Sequence, residues 1–156
     1  MSASPLPFAA PFPPAVTVVS PAEAMAALSL AGPRGVTLLS AEGAAGFLGP
    51  RAWRVLVDSA RAAHPGVAAA DLLCCGRAPG DALAALRAGC RGIVLDGSSP
   101  AFAAIAAACA EGGAALLPGR PPALEARSLD LRRAAGKARL AAWLAVPPDD
   151  TRGHLR

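Results

Sequence analysis

Lysine occurs once in this chain of 156 residues, at Lys137, and histidine only at His64 and His154; tyrosine, asparagine and glutamine are absent. Each scarcity closes a class of chemistry. The single amine lies outside the segments that read as the fold's core, so a Schiff-base mechanism has no suitable nucleophile. The two imidazoles fall at a helix end and in the last residues, where neither can serve Ser40, Ser98 or Cys75 as a general base. Cysteine is confined to Cys74, Cys75, Cys90 and Cys109. Adjacent Cys74 and Cys75 point to opposite faces of a strand and cannot clamp one metal as a C-x-x-C pair would, so all four read as small buried apolar residues. No metal and no cofactor is expected.

Two motifs are also missing. Gly43-Ala-Ala-Gly-Phe-Leu-Gly49 has neither the Lys-Ser/Thr ending of a P-loop nor the G-x-G-x-x-G order of a dinucleotide site, and reads as a flexible turn. No apolar run reaches membrane-spanning length, since Glu111 and Gly112 interrupt the longest, and the opening residues lack the cationic region of a secretory leader. A reduced, cytoplasmic protein is the expectation. The shortage of lysine together with the missing amides resembles a codon bias toward GC-rich triplets, so arginine in place of lysine carries no functional weight.

What the chain does have is one repeated pattern: an apolar run, a polar or glycine break, an alanine-rich helical stretch and a glycine before the next apolar run. Continuous rather than alternating apolar runs are the mark of parallel strands buried on both faces. Strands are predicted at residues 15–20, 36–39, 69–75, 92–95 and 114–117, with helices at 21–30, 51–63, 81–88 and 100–110. The class is therefore α/β: an open, mostly parallel five-stranded sheet with helices on both faces, flavodoxin-like or half-barrel-like in order, plus a C-terminal helix. Residues 1–14, with five prolines, read as an extended arm, 15–120 as the α/β domain and 121–156 as a basic helical tail, anchored by Trp143 and weakened at Gly136.

Charge follows the same division. Seven basic and seven acidic residues precede Arg120, whereas eight basic and four acidic follow from there on, so the net +4 lies wholly in the last segment. A solvated helix accounts for this, with anionic lipid or an acidic partner as alternatives. Nucleic acid is not expected, because no aromatic-studded basic stripe accompanies the charge.

In a parallel sheet, ligand contacts gather at the carboxyl ends of the strands. That rim would bring together Ser20; Ser40, Glu42 and Gly43; Cys75, Gly76 and Arg77; Asp96, Gly97, Ser98 and Ser99; and Pro118, Gly119 and Arg120. The candidate ligand-binding set is Ser40, Glu42, Gly43, Cys75, Arg77, Asp96, Ser98 and Ser99, with Asp96 the strongest single residue and Arg77 plus the amides after Ser98 as donors to a small anion. The same residue types serve as loop caps, and no catalytic set emerges from them.

The stretch Val18-Val-Ser-Pro-Ala-Glu-Ala-Met-Ala-Ala-Leu, continued by Gly35-Val-Thr-Leu-Leu-Ser-Ala-Glu42, resembles the later strands of keto-deoxy-phosphogluconate aldolase-type βα barrels, where Pro-x-Glu-x-x-x-Ala-Leu precedes a strand ending in Ala-Glu. The resemblance covers about a quarter of the chain. It would place the family's Schiff-base lysine at Thr37, which forms no imine, so aldolase activity is not implied. As a whole the chain also resembles short, functionally unassigned α/β proteins of alphaproteobacterial genomes. The reading that follows is a non-catalytic module acting through a protein partner or its own copy. A binder of a small anionic ligand or phosphate at the rim is the alternative, and an enzyme using Asp96 or Glu42 is the third.

Overall fold

The structure, a computed structural model, describes residues 12–146; most of the proline-rich arm and the end at 147–156 lie outside the described residues. The elements run β1 (Ala15–Thr17), α1 (Pro21–Leu30), β2 (Val36–Leu39), α2 (Ala44–Phe47), α3 (Pro50–Ala63), β3 (Ala69–Cys74), α4 (Pro79–Arg87), β4 (Gly92–Val94), α5 (Phe102–Gly112), β5 (Ala115–Leu117), β6 (Ala123–Glu125), a 3-10 turn (Ala126–Ser128) and α6 (Ala134–Ala145). Local chemistry fixes the first helix well. Ser20 caps it by accepting from the Glu23 amide at 3.2 Å, Pro21 opens it, and the Glu23 carboxylate reaches back to the Val19 amide at 2.7 Å.

All the expected strands are present and parallel, but there are six rather than five, in the order β5-β4-β3-β2-β1-β6. A flavodoxin-like order is therefore excluded. From β1 to β5 the chain always steps to the same neighbour, so right-handed crossovers place every helix on one side. Burial confirms it by parity. Val16, Val18, Val36, Leu38, Leu73, Cys75, Ile93 and Leu95 share one core with the buried residues of the helices, whereas Leu39, Leu72, Cys74 and Val94 pack with Phe12, Leu117 and Ala123 on the other face. The expectation of helices on both faces is corrected accordingly: doubly wound cover needs a reversal of step direction, and none occurs before β6.

The return to β6 decides the sheet's shape. Laid flat, six strands would hold β5 and β6 about 24 Å apart at about 4.8 Å per spacing. The six Cα steps from Leu117 to Ala123 reach about 21 Å fully extended, and they must also carry the chain back from the carboxyl end of β5 to the amino end of β6. The sheet must curl. It curls away from the helices, leaving an inner face with room for side chains and for the chain's own Phe12–Pro14 segment. There Thr37 donates through Oγ1 to the Pro13 carbonyl at 2.8 Å and through its amide to the Pro14 carbonyl at 2.9 Å.

The segment read as a separate basic tail is part of this body. β6 pairs with β1, Leu140, Trp143 and Leu144 are buried against the sheet, and the Trp143 indole donates to the Ala15 carbonyl at 2.8 Å. Gly136, read as a weak point, is a close approach instead: a Cβ there would stand 2.1 Å from the Asp130 carbonyl oxygen. Trp143→Ala is expected to destabilise the protein by about 3–5 kcal/mol in urea unfolding. Val55→Ala, at a side chain 65% exposed, should stay within about 0.5 kcal/mol; equal effects of the two would return residues 123–146 to the status of an appendage.

Candidate functional site

Because every strand is parallel, the loops after them share one rim, and its polar groups can be followed one by one. Ser40, at the end of β2, is buried. Its Oγ accepts from the Cys74 amide at 2.8 Å and donates to the Ala41 carbonyl at 3.1 Å, so it ties β2 to β3. Its own carbonyl accepts from Arg120 Nη1 at 2.7 Å, while Arg120 Nη2 lies 3.3 Å from Thr17 Oγ1 and 4.0 Å from the Glu125 carboxylate. One guanidinium thus bridges the ends of β2, β1 and β6 and fastens the short connection after β5 across the inner face.

Asp96 is equally engaged. Its Oδ1 accepts from the Ser98 amide at 2.8 Å and from Ser98 Oγ at 2.7 Å, and Oδ2 stands 3.9 Å from Arg77 Nε. Those two Ser98 bonds, aided by Arg77, hold its carboxyl below the ordinary range. Of the amides after Ser98, Ser99 donates to the Asp96 carbonyl and Phe102 to the Ser99 carbonyl, and Pro100 has none to give, while before them Gly97 donates to the Pro118 carbonyl and Ser98 to the Asp96 carboxylate. Asp96 therefore stabilises its loop. Arg77 remains largely in water, with its side chain 83% exposed.

Cys75 does not face the rim. It points into the core with the helices and is 2% exposed, and burial, reinforced by Cys74, Asp81 and the other two thiols, pushes it up to about 12. Glu42 is exposed and Gly43, with φ of 65°, forms the left-handed entry to α2. On the rim Asp96 meets Ser98 and Arg77, whereas Ser40 is tied to Cys74 and Arg120, and these groups assemble no nucleophile, base and orienting group. Among the described residues no group of three or more His, Cys, Asp or Glu could hold a metal ion.

Two features were not read from the sequence. The Arg120 bridge is one; its signal was a threonine set in each of two otherwise apolar strands, Thr17 and Thr37, which parity places on the same face. Buried Asp71 is the other, accepting from Arg61 at 2.6 Å and from the Trp53 indole at 3.3 Å on the helical side, where it ties β3 to α3. Beside the exposed Arg77 and Glu42, the rim leaves apolar groups uncovered: Phe47 is 72% exposed, Val19 47% and Leu48 41%. Phe47 and Leu48 follow β2, where α2 packs against β3 and α4, and Val19 follows β1. No protein-family model matches the chain, and no curated protein matches it in sequence.

The thiols give two checks. Native protein at pH 8 should not react with a thiol reagent until it unfolds, and fast labelling at Cys75 would contradict its placement. Folding keeps this thiol protonated up to about 12, against 9.0 when free. The unfolded state thus loses its proton first, and stability should fall as pH climbs from 9 toward 12. Replacing Cys75 by Ala should flatten that slope in pH-dependent urea melts.

Proposed function

We propose that the protein is a non-catalytic interaction module, half-barrel-like in form, which works through the carboxyl-terminal rim around Phe47, where α2 lies over β3 and α4. The observation that carries this reading is the division of labour at the rim. Ser40, Asp96, Ser98 and Arg120 hold loops to one another, while a phenylalanine 72% exposed is presented outward among glycines at 43, 46 and 49. An active site needs the reverse, polar groups held ready and aimed at a shared point. A contact surface needs an apolar centre beside charged surroundings. The rim supports the second.

The alternative of a small anion held by Arg77 and the amides after Ser98 gives up the Ser99 and Phe102 amides to internal bonds, and its guanidinium stands largely in water. The enzyme reading would require Asp96 or Glu42 to act without a partner group. Neither gains support from the geometry.

A photo-crosslinking side chain placed at position 47 should form adducts in the protein's native cells, visible as a mass shift on the purified chain. The same group at Val55, also exposed but on the helical layer, should give only background, and Asp96→Asn or Glu42→Gln should leave the yield at 47 unchanged. Equal yields at 47 and 55, or none at 47, would defeat the proposal.

A further inference from the structure

α2 packs against β3 and α4, which sets Phe47 and Leu48 among charges of both signs. A Cβ on Gly46 would stand 3.4 Å from Asp81 Oδ2 at the start of α4, and one on Gly76, the residue before Arg77, 3.9 Å from the Gly43 Cα. Around the two apolar side chains are therefore Arg77, 83% exposed and 3.9 Å from Asp96, half-buried Asp81, and exposed Glu42 and Arg51 on either side in sequence. The cations of the β6 turn and α6 take no part, since β1 and β2 separate β6 from β3.

The relief of this patch is as mixed as its charge. Phe47 projects, whereas Gly43, Gly49 and Gly80 have open space where a side chain would stand. Left-handed φ angles of 65° and 86° account for Gly43 and Gly49. Gly80 has no such reason. It is exposed in the first turn of α4, beside Asp81 and without a positive φ, at a position where alanine is the better helix former. Its bareness serves the surface by leaving clear ground next to α2.

We infer that this patch binds a second copy of the chain about a two-fold axis, Phe47 of each copy seating over the glycines of the other while the arginines of each meet the carboxylates of the other. The inference rests on the reading of the rim as a contact surface and names its partner. A two-fold contact sets one patch against itself, so the patch must hold both a projection and bare ground, and both signs of charge. This one does. A partner of a single sign fits worse, because Glu42, Asp81 and Asp96 oppose a polyanion and Arg51 and Arg77 oppose a basic peptide. An aromatic side chain and arginines are also the groups that most often anchor contacts between proteins.

The test is sedimentation equilibrium of the full chain over a range of concentrations. A monomer–dimer equilibrium with no larger species is expected, and Phe47→Ser should weaken it about 100-fold, the square of a tenfold loss, because the substitution enters a two-fold contact twice. Gly80→Ala should weaken it too without lowering the melting temperature, which a glycine of purely structural use would not do. Arg51→Glu with Arg77→Glu, and Glu42→Lys with Asp81→Lys, should each be monomeric alone and pair when mixed, whereas Arg132→Ala with Arg133→Ala should change nothing. A monomer at every concentration, a dimer indifferent to residues 47 and 80, growth past the dimer, or folded charge-reversed chains that fail to pair would overturn the inference. Photo-adducts at position 47 should have twice the mass of the chain. Adducts of another mass from a monomeric chain would sink the second copy and leave the rim as a contact surface; a monomer without adducts would sink both readings.

Discussion

The five residues between β5 and β6 constrain more of this fold than any helix does. A parallel strand normally needs a crossover of a dozen residues or more to return to its starting end. Here Pro118 to Pro122 must make that return with no helix, and must land beside β1 at the opposite edge of the sheet. Only a curled sheet allows it. Three prolines limit the conformations that the connection can lose on folding, and Arg120 fastens it by its bonds to Ser40 and Thr17. The curl in turn leaves the inner face too narrow for helices, so the second core is small and partly filled by Phe12.

That constraint explains why the rim is chemically quiet. Backbone groups at the ends of short strands must find partners when buried, at a cost of about 1–3 kcal/mol for each left without one. Ser40, Thr17, Arg120, Asp96 and Ser98 supply those partners, and no buried side-chain nitrogen or oxygen among the described residues lacks one. Residues that would be read as catalytic from their position are thereby engaged in closing the structure. An arginine that bridges three strand ends cannot leave them for a substrate without opening the sheet.

The parallel architecture was legible because it rests on local signals: Val-Val and Leu-Leu runs at strand spacing, the Ser20-Pro21-Glu23 helix start, and glycines after helices. β6 was not legible, since Ala123-Leu-Glu125 is three residues long, lies among prolines and owes its strand form to pairing with β1. Losing that strand from the reading also lost the direction of the return, and with it the curl and the single helical face. Of the candidate site, the rim positions were recoverable from the strand ends, but their roles were not. Whether Asp96 reaches toward a ligand or toward Ser98 two residues on depends on a loop conformation that spacing alone does not specify. Cys75 was misplaced for a simpler reason: alternation turns it toward the helices even though its backbone ends at the rim.

The start of α6, like those of α3 and α5, has neither a side-chain cap nor an acid in its first turn. Helices favour acids or a side-chain cap in their first turn, as in α1 with Glu23 and Ser20, because the amide ends there carry partial positive charge. α6 has no side-chain cap and no acid in its first turn, and Arg132, Arg133 and Lys137 stand at that end, with Asp130 as the carboxylate facing the two arginines. Each cation so placed opposes the helix by about 0.3–1 kcal/mol, and Arg133 with Lys137 adds a like-charge pair one turn apart. Burial of Leu140, Trp143 and Leu144 offsets this several times over, at about 1.5–3 kcal/mol for each large side chain. The helix is therefore held by its far half, and its first turn is free to carry a charge arrangement that folding disfavours.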